Sequence, residues 1–336
     1  MKTSACLRLA VFSPFALLAF SSAARAESPS SPLAGIWTIQ DENASISTQS
    51  QTDRYYVNGF HLGWTSPEGK VPGFVANFGH ALLGEGTQRV SVGIVQQLYT
   101  PDNTELINPD PNDEPYAGYL AATLSLIQDT ANTRTVLGVN AGVIGRDAGG
   151  EIVQNNFHSI IGQKGTHGWA YQLPSEPAID FLASRTWRVP VTHLSNGLEA
   201  DVLPQLSAMG GLTEDYVQPA FAFRFGRGLD SDFGPSLLAT SPSGSDAFTQ
   251  TQPVVWYVFG SAAAKVVGHD EILQGSDFQT SRSVDPYRVV GTFELGATAI
   301  WRGIRFSYTQ VFQTNRFYHQ ANTIHEFGSF SVGFTF

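Results

Sequence analysis

Cysteine and charged residues are scarce in this chain, and long hydrophobic runs are missing beyond its first residues. Its single cysteine is Cys6, so a framework of disulfides is excluded, unlike in small secreted domains. Only 14% of the residues are charged, against about 25% in soluble domains. No segment after the N-terminal region offers about 18 consecutive apolar residues, which excludes membrane-spanning helices. A net charge of −10 excludes the basic footprint of a nucleic-acid-binding protein, so we expect no such partner.

The N-terminal residues have the pattern of a secretory signal peptide. Lys2 and Arg8 lie in or beside the start of the apolar run LAVFSPFALLAF, and small residues follow, ending Ala24-Arg25-Ala26. This order of charge, apolar run and A-x-A motif predicts a signal peptide over residues 1–26. The run is short and contains a proline, which argues against a permanent membrane helix. We expect residues 27–336 to form one domain.

The composition of that domain is typical of an outer-membrane β-barrel. Aromatic residues make up 12% of the chain, glycines number 33, and many segments alternate apolar with polar or small residues, as barrel strands do. The chain ends in FGSFSVGFTF, where aromatic and apolar residues alternate with small ones. The alternative is a half-buried strand of a secreted sandwich. We predict an all-β protein, a transmembrane antiparallel β-barrel of about 12 strands in the cell outer membrane, whose aromatic last strand is recognised by the outer-membrane assembly machinery.

Period-2 patterns also place the connections. If the first strand rises from the periplasm, the long connection at 145–176 is extracellular and contains a short loop helix. Two long connections fall on the periplasmic side: 67–87 contains a candidate amphipathic helix, and 228–252, rich in turn formers, is predicted to be mobile. The twelve candidate strands lie near 36–45, 55–66, 88–99, 116–128, 133–144, 177–190, 197–211, 216–227, 253–266, 286–300, 303–314 and 324–336.

The loop helix carries two side chains that could do chemistry. In GRDAGGEIVQNNFHSIIG (145–162), Gln154 and His158 are four residues apart and share one helix face. Histidine is the usual general base near neutral pH, and the glutamine amide can donate a hydrogen bond to a developing oxyanion. The alternative is a loop helix in which both side chains merely satisfy buried polar groups.

Several motifs, taken together and in order, resemble the lipid A 3′-O-deacylase family of outer-membrane enzymes. They are TDRYYVNGFHLGWT (52–65), QQLYTPDN (96–103), DEPYAGYL (113–120), the loop-helix stretch (142–162) and GWAYQLPSEP (168–177). The resemblance implies a twelve-stranded barrel with its active site between the wall and an extracellular helix. It implies an esterase that removes the 3′-linked acyloxyacyl chain of lipid A, with lipopolysaccharide as its partner, a histidine base and assisting calcium. The matching residues are His158, Gln154 and Asn43.

The chain departs from the family pattern where that resemblance places calcium. Ala44 stands for an aspartate and Val57 for a threonine, and Glu114 replaces a cation suited to phosphate contact. Glu42 and Asp53 are the candidate metal ligands, with Asp41 a further carboxylate and Asp113 a further loop candidate, so we expect a weakened calcium site. Two other functions stay open: a catalytically weakened or inactive member that binds lipopolysaccharide or serves as a structural barrel, and, least favoured, a porin.

Overall fold

The computed structural model describes residues 34–48, 54–237, 241–321 and 324–336. The predicted signal peptide therefore lies outside the described residues. Nearly all of the described chain is strand and connecting loop, as predicted. Within it the strands are β1 (Ile36–Asn43), β2 (Tyr55–Thr65), β3 (Thr87–Thr100), β4 (Ala117–Asp129), β5 (Thr133–Ile144), β6 (Glu176–Trp187), β7 (Val189–His193), β8 (Glu199–Gly211), β9 (Glu214–Arg227), β10 (Val254–Asp270), β11 (Val289–Trp301), β12 (Ile304–Thr314) and β13 (Ile324–Thr335).

Twelve of these strands form one closed antiparallel barrel. Neighbouring strands pair in sequence order, and β1 closes the ring by pairing with β13, from Ile36 opposite Thr335 to Asn43 opposite Gly328. The predicted strand 177–190 is divided at Arg188 into β6 and the short β7. β6 pairs with β5 and β8. β7 pairs only with β8, and this β7–β8 hairpin extends beyond the wall. The predicted count of twelve is therefore correct for the wall.

The period-2 alternation divides the strand residues between lipid and lumen. In β1 the buried residues alternate with more exposed ones, so Gln40 and Glu42 face the lumen and Trp37 and Ile39 face outward. Large apolar side chains dominate the exposed positions of the other strands too, including Ile94, Leu124, Phe181, Phe221 and Leu295. An outward band of this kind is the lipid-facing belt of a transmembrane barrel.

The connections that the structure describes contain three α-helices: α1 (Gly73–Leu83), α2 (Gly150–Ile161) and the short α3 (Glu271–Gln274). α1 is the amphipathic helix predicted in the 67–87 connection, and α2 is the predicted loop helix. None of the helices within the described ranges has the length and apolar content needed to cross a bilayer.

The prediction of a mobile 228–252 connection is wrong for the residues that the structure describes, because this segment folds into the lumen. We call it the lumen segment. Gln40 of β1 donates to the carbonyl of Ser236 (2.9 Å), and His61 of β2 contacts the hydroxyl of Ser243 (3.0 Å). Arg134 of β5 donates to two of its carbonyl groups, at 2.8 and 2.7 Å. The turns of this segment expose backbone carbonyl groups, and inward-facing side chains of the wall donate hydrogen bonds to those carbonyls. These bonds hold the segment in place.

Asp232 is the main ionic anchor of the lumen segment. Its carboxylate is fully buried and accepts hydrogen bonds from Arg224 of β9 (2.7 Å), Arg305 of β12 (3.0 Å) and the hydroxyl of Tyr257 of β10 (2.8 Å). Arg224 also pairs with Asp201 of β8. One loop carboxylate therefore ties together three strands of the barrel.

Removal of this anchor should destabilise the whole barrel. In Asp232→Ala, Arg305 loses its only carboxylate partner among the described residues, and loss of one partner of a buried ion pair costs about 3–5 kcal/mol. The exposed Asp230, two residues earlier, is the matched control, and Asp230→Ala should cost about 0.5 kcal/mol or less. Urea titration, followed by the gel shift between folded and unfolded barrel, measures both. Equal stability of the two variants would contradict the anchoring role.

Candidate active site

The candidate site lies outside the barrel, where α2 packs against the outward face of β3 and β4. A helix can approach the wall this closely because Gly150 has no side chain: a Cβ atom there would lie 2.6 Å from the ring of Trp169 and 3.1 Å from Leu98 of β3. Gln96 of β3 donates to the carbonyl of Ala148 just before the helix, at 2.7 Å. The buried residues of α2 are Gly150, Gln154 and His158, which follow one another at four-residue spacing and so form one face.

His158 is held in one tautomer by the chain that follows the helix. Its Nδ1 atom lies 2.7 Å from the carbonyl oxygen of Lys164. A carbonyl can only accept, so Nδ1 carries the proton and Nε2 is the basic nitrogen of the neutral ring. The side chain is buried. The geometry therefore suits a general base whose orientation is set before substrate arrives.

Gln154 is oriented by two residues that the sequence reasoning did not single out. Its Oε1 atom accepts from the indole Nε1 of Trp169 (3.0 Å) and from the hydroxyl of Thr166 (3.2 Å). Because the carbonyl end is held, the amide NH₂ group is the end that can donate to a ligand. Trp169 in turn packs on Tyr116, with ring centroids 4.7 Å apart. Tyr116 and Trp169 lie in two of the motifs on which the family resemblance is based, and both motifs meet at this helix. Those motifs were the sequence feature that could have identified Trp169 as part of the site.

Asn43 lies on the outward face, in a row of residues that leads to α2. It pairs with Asn58 of β2, which pairs with Leu98 of β3. Adjacent strands are about 4.8 Å apart, so Asn43 lies roughly 10 Å along the wall from a residue beneath α2. The Asn58 amide donates to the carboxylate of Asp41 (3.0 Å). Asp41, Asn43 and Asn58 thus form a polar patch on a wall face whose exposed residues are mostly apolar.

Glu42 points the other way, because alternate residues of a strand face opposite sides. Its buried carboxylate accepts from the hydroxyl of Tyr56 (2.7 Å) and from Gln40 (3.1 Å), inside the lumen. Glu42 and Asn43 therefore cannot bind one ion from the same side of the wall. The other predicted metal ligand, Asp53, lies outside the described residues.

Ala44 and Val57, where the family pattern has a carboxylate and a hydroxyl, do not fit the calcium ion that the resemblance implies. Ala44 is fully buried in an apolar lumen cluster that contains Tyr56, Tyr99 and Phe327. Val57 is also buried, and its carbonyl accepts from the backbone N–H of Ala44 at 2.9 Å. Within the part of the chain that the structure describes, no cluster of three or more His, Cys, Asp or Glu side chains is arranged to hold a metal ion. Calcium binding therefore stays a prediction.

Glu114 lies inside the barrel mouth rather than beside α2. It is buried and forms an ion pair with Arg316 (2.6 Å), which also pairs with Asp270 (3.2 Å). Burial alone would lower the pKa of Arg316, but Glu114 and Asp270 raise it above its ordinary value. Because its charge is compensated internally, Glu114 does not present a free anion to a phosphate outside the barrel.

Comparisons with known proteins agree with this architecture. The family model described as outer membrane protein LpxR matches residues 11–336. The structure of LpxR from Salmonella typhimurium is similar with a TM-score of 0.75 and 22% identity, covering 90% of this chain and 100% of that chain. The transport unit of the autotransporter AIDA-I from Escherichia coli is far less similar, with a TM-score of 0.42 and 10% identity over 96% of this chain and 94% of that one. A search of curated proteins finds no match.

A closed barrel with a lipid-side belt and an external helix defines an outer-membrane protein whose candidate site faces the membrane. The chain belongs to the outer membrane protein LpxR family, since the family model spans nearly all of it. The family consists of hydrolases that act on lipid A in the outer membrane. The predicted family, barrel and location are thereby confirmed, and lipid A remodelling is the general role.

The position of Ala44 allows a direct test of the metal hypothesis. Ala44→Asp restores the family carboxylate, but here it would place that group in the apolar lumen cluster. Burial of an unpaired polar group costs at least about 1–3 kcal/mol, so we expect lower stability and unchanged calcium affinity. Thermal unfolding and calcium titration calorimetry measure the two effects, with Ala44→Val as a size control. A clear gain in calcium affinity would show that Ala44 lies at the metal site after all.

Proposed function

We propose that this protein is an esterase that hydrolyses the 3′-linked acyloxyacyl ester of lipid A, with His158 as general base. The observation that carries the proposal is the pair of His158 and Gln154 on the wall-facing side of α2. Each side chain has one end held by the surrounding loop, through the carbonyl of Lys164 and through Trp169 and Thr166. Preorganised groups of this kind need no reorientation when charge develops in the reaction.

The proposed reaction uses only residues of this chain. Nε2 of His158 removes a proton from water as its oxygen attacks the ester carbonyl carbon. The amide of Gln154 donates a hydrogen bond to the oxyanion that forms. The intermediate then collapses: the bond between the carbonyl carbon and the sugar 3′ oxygen breaks, and the proton on His158 passes to that oxygen. The products are the free acid and the 3′ hydroxyl.

The surroundings of the pair suit a lipid substrate. α2 exposes Ile152 and Ile160 on its outer side, at 67% and 63%, where acyl chains of the outer leaflet would contact them. The polar patch of Asp41, Asn43 and Asn58 offers hydrogen-bonding groups on the same wall. An amphiphile with sugar hydroxyls and acyl chains could contact both surfaces at once.

Replacement of His158 tests the mechanism. His158→Ala should lower turnover about 10²- to 10⁴-fold, the usual contribution of general base catalysis, and leave the barrel folded. His193→Ala, at an exposed position of β7, is the control and should keep full activity. Mass spectrometry of lipid A from cells that express each variant reads the loss of the 3′ acyl group. An active, folded His158→Ala variant would remove histidine from the proposed mechanism.

Trp169 is a positioning residue, and its role can be tested by measuring turnover and KM separately. Trp169→Phe keeps the packing on Tyr116 but removes the indole donor to Gln154, a hydrogen bond that contributes about 0.5–1.5 kcal/mol. Turnover should fall about 2- to 10-fold with little change in KM, because the bond orients an oxyanion donor. Trp187→Phe, on the outward face of β6, is the matched control. A change in KM alone would assign Trp169 to substrate binding instead.

A member without catalysis, which binds lipopolysaccharide or serves as a structural barrel, is the second candidate. The observation that favours it is the poor fit of Glu42, Ala44 and Val57 to a calcium site. If wild-type cells retain every lipid A acyl group while the purified protein still binds lipopolysaccharide, this second function replaces the first.

We also propose that the outer-membrane assembly machinery recognises the last strand. β13 supports this, since it forms the closing seam with β1 and ends beside Phe336, which is 91% exposed on the chain terminus.

A further inference from the structure

α1 carries an exposed apolar stripe that the site on α2 does not explain. Phe74, Phe78 and Leu82 follow one another at four-residue spacing and are 79%, 60% and 58% exposed. In a helix such residues lie on one side. Large exposed aromatic and aliphatic groups, contiguous and unpartnered within the described chain, are the mark of an interaction surface.

The other sides of α1 are already assigned by its contacts. Gly79 faces the barrel wall, since a Cβ atom there would lie 2.5 Å from Gln88 of β3 and 3.0 Å from Leu126 of β4. The amide of Gln88 also donates to the carbonyl of Ala76 (3.4 Å). At about 100° per residue, the wall side lies next to the apolar stripe. Asn77 and His80 lie on the opposite flank. α1 therefore has a wall side, an apolar flank and a polar flank.

The position of α1 along the barrel identifies what the apolar flank meets. Gln88, under α1, and Leu98, under α2, are ten residues apart on β3. Ten strand residues span roughly 33 Å, and a tilt of about 40° reduces this to about 25 Å of height, the height of a barrel's apolar band. If α2 lies at the outer-leaflet boundary, α1 lies at the periplasmic boundary. Leu126 of β4 lies under α1, and the next outward residues above it, Leu124 on β4 and its pair Val92 on β3, are exposed members of the lipid-facing belt.

We infer that α1 is an interfacial helix whose Phe74, Phe78 and Leu82 insert into the phospholipid leaflet that faces the periplasm. Its polar flank, with Asn77, then faces the periplasm. Amphipathic helices of this kind lie in the plane of the interface with the apolar side among the acyl chains. Since α1 and α2 are fixed to the same two strands, insertion of α1 sets the height of α2 in the opposite leaflet.

Site-directed spin labelling tests the inference in the full chain. In a Cys6→Ser background a nitroxide is attached to Phe74→Cys, Phe78→Cys or Leu82→Cys, with Asn77→Cys as the matched control on the same helix. The proteins are reconstituted in vesicles of phosphatidylethanolamine and phosphatidylglycerol. Labels at 74, 78 and 82 should be more accessible to oxygen than to a water-soluble nickel complex, and the label at 77 should show the reverse order. The gel shift on heating confirms that each barrel is folded.

Two outcomes would overturn the inference. If the nickel complex reaches positions 74, 78 and 82 as readily as position 77, the stripe faces water. If both reagents are excluded there and the spectra are broadened by dipolar coupling, a second copy of the chain covers the stripe. Neither outcome bears on His158, so this test is independent of the proposed esterase.

Discussion

Backbone hydrogen bonding in lipid is the constraint from which the rest of this structure follows. An unpaired N–H or C=O group in the hydrocarbon region costs several kcal/mol, so every strand edge must be paired and β1 must meet β13. Closure imposes a fixed inward and outward alternation on each strand. That alternation puts Glu42 in the lumen and Asn43 on the lipid side, although they are neighbours in the chain. The same constraint leaves connections as the only places for helices, and both longer helices lie against the outside of the wall.

The wall was predictable because its signal is local and repeated. Period-2 patterns placed all twelve wall strands, and they placed α2 by showing where alternation stopped. The break at Arg188 was not visible, since Val189 and Val191 continue the apolar alternation of β6 in the sequence. In the structure β7 differs from β6 both in its partners and in having every residue exposed. The 228–252 connection was misjudged for a related reason. Its composition describes how the chain turns, whereas its fixed position depends on inward-facing arginines of the wall. Two of them, Arg134 and Arg305, lie far away in sequence.

The candidate site, too, was predictable only where the signal is local in the sequence. The spacing of Gln154 and His158 was sufficient to place both on one helix face. The contacts that orient them come from residues 164–169, beyond the end of the helix, and no periodicity identifies those. Matching the family pattern identified Ala44 and Val57 as departures, but a pattern does not state which side of the wall a residue faces. The structure adds that Ala44 packs among aromatic side chains in the lumen, so a single restored carboxylate is not equivalent to a restored site.

The lumen segment has a consequence for the cell rather than for the reaction. An outer membrane protects the cell by excluding small toxic solutes, and a barrel with an open bore would weaken that protection in proportion to its copy number. Here a loop anchored by Asp232 occupies the periplasmic part of the bore, and the ion pairs of Arg316 occupy its mouth. Many copies of such a barrel would therefore present occupied bores, rather than open channels, to solutes outside the cell.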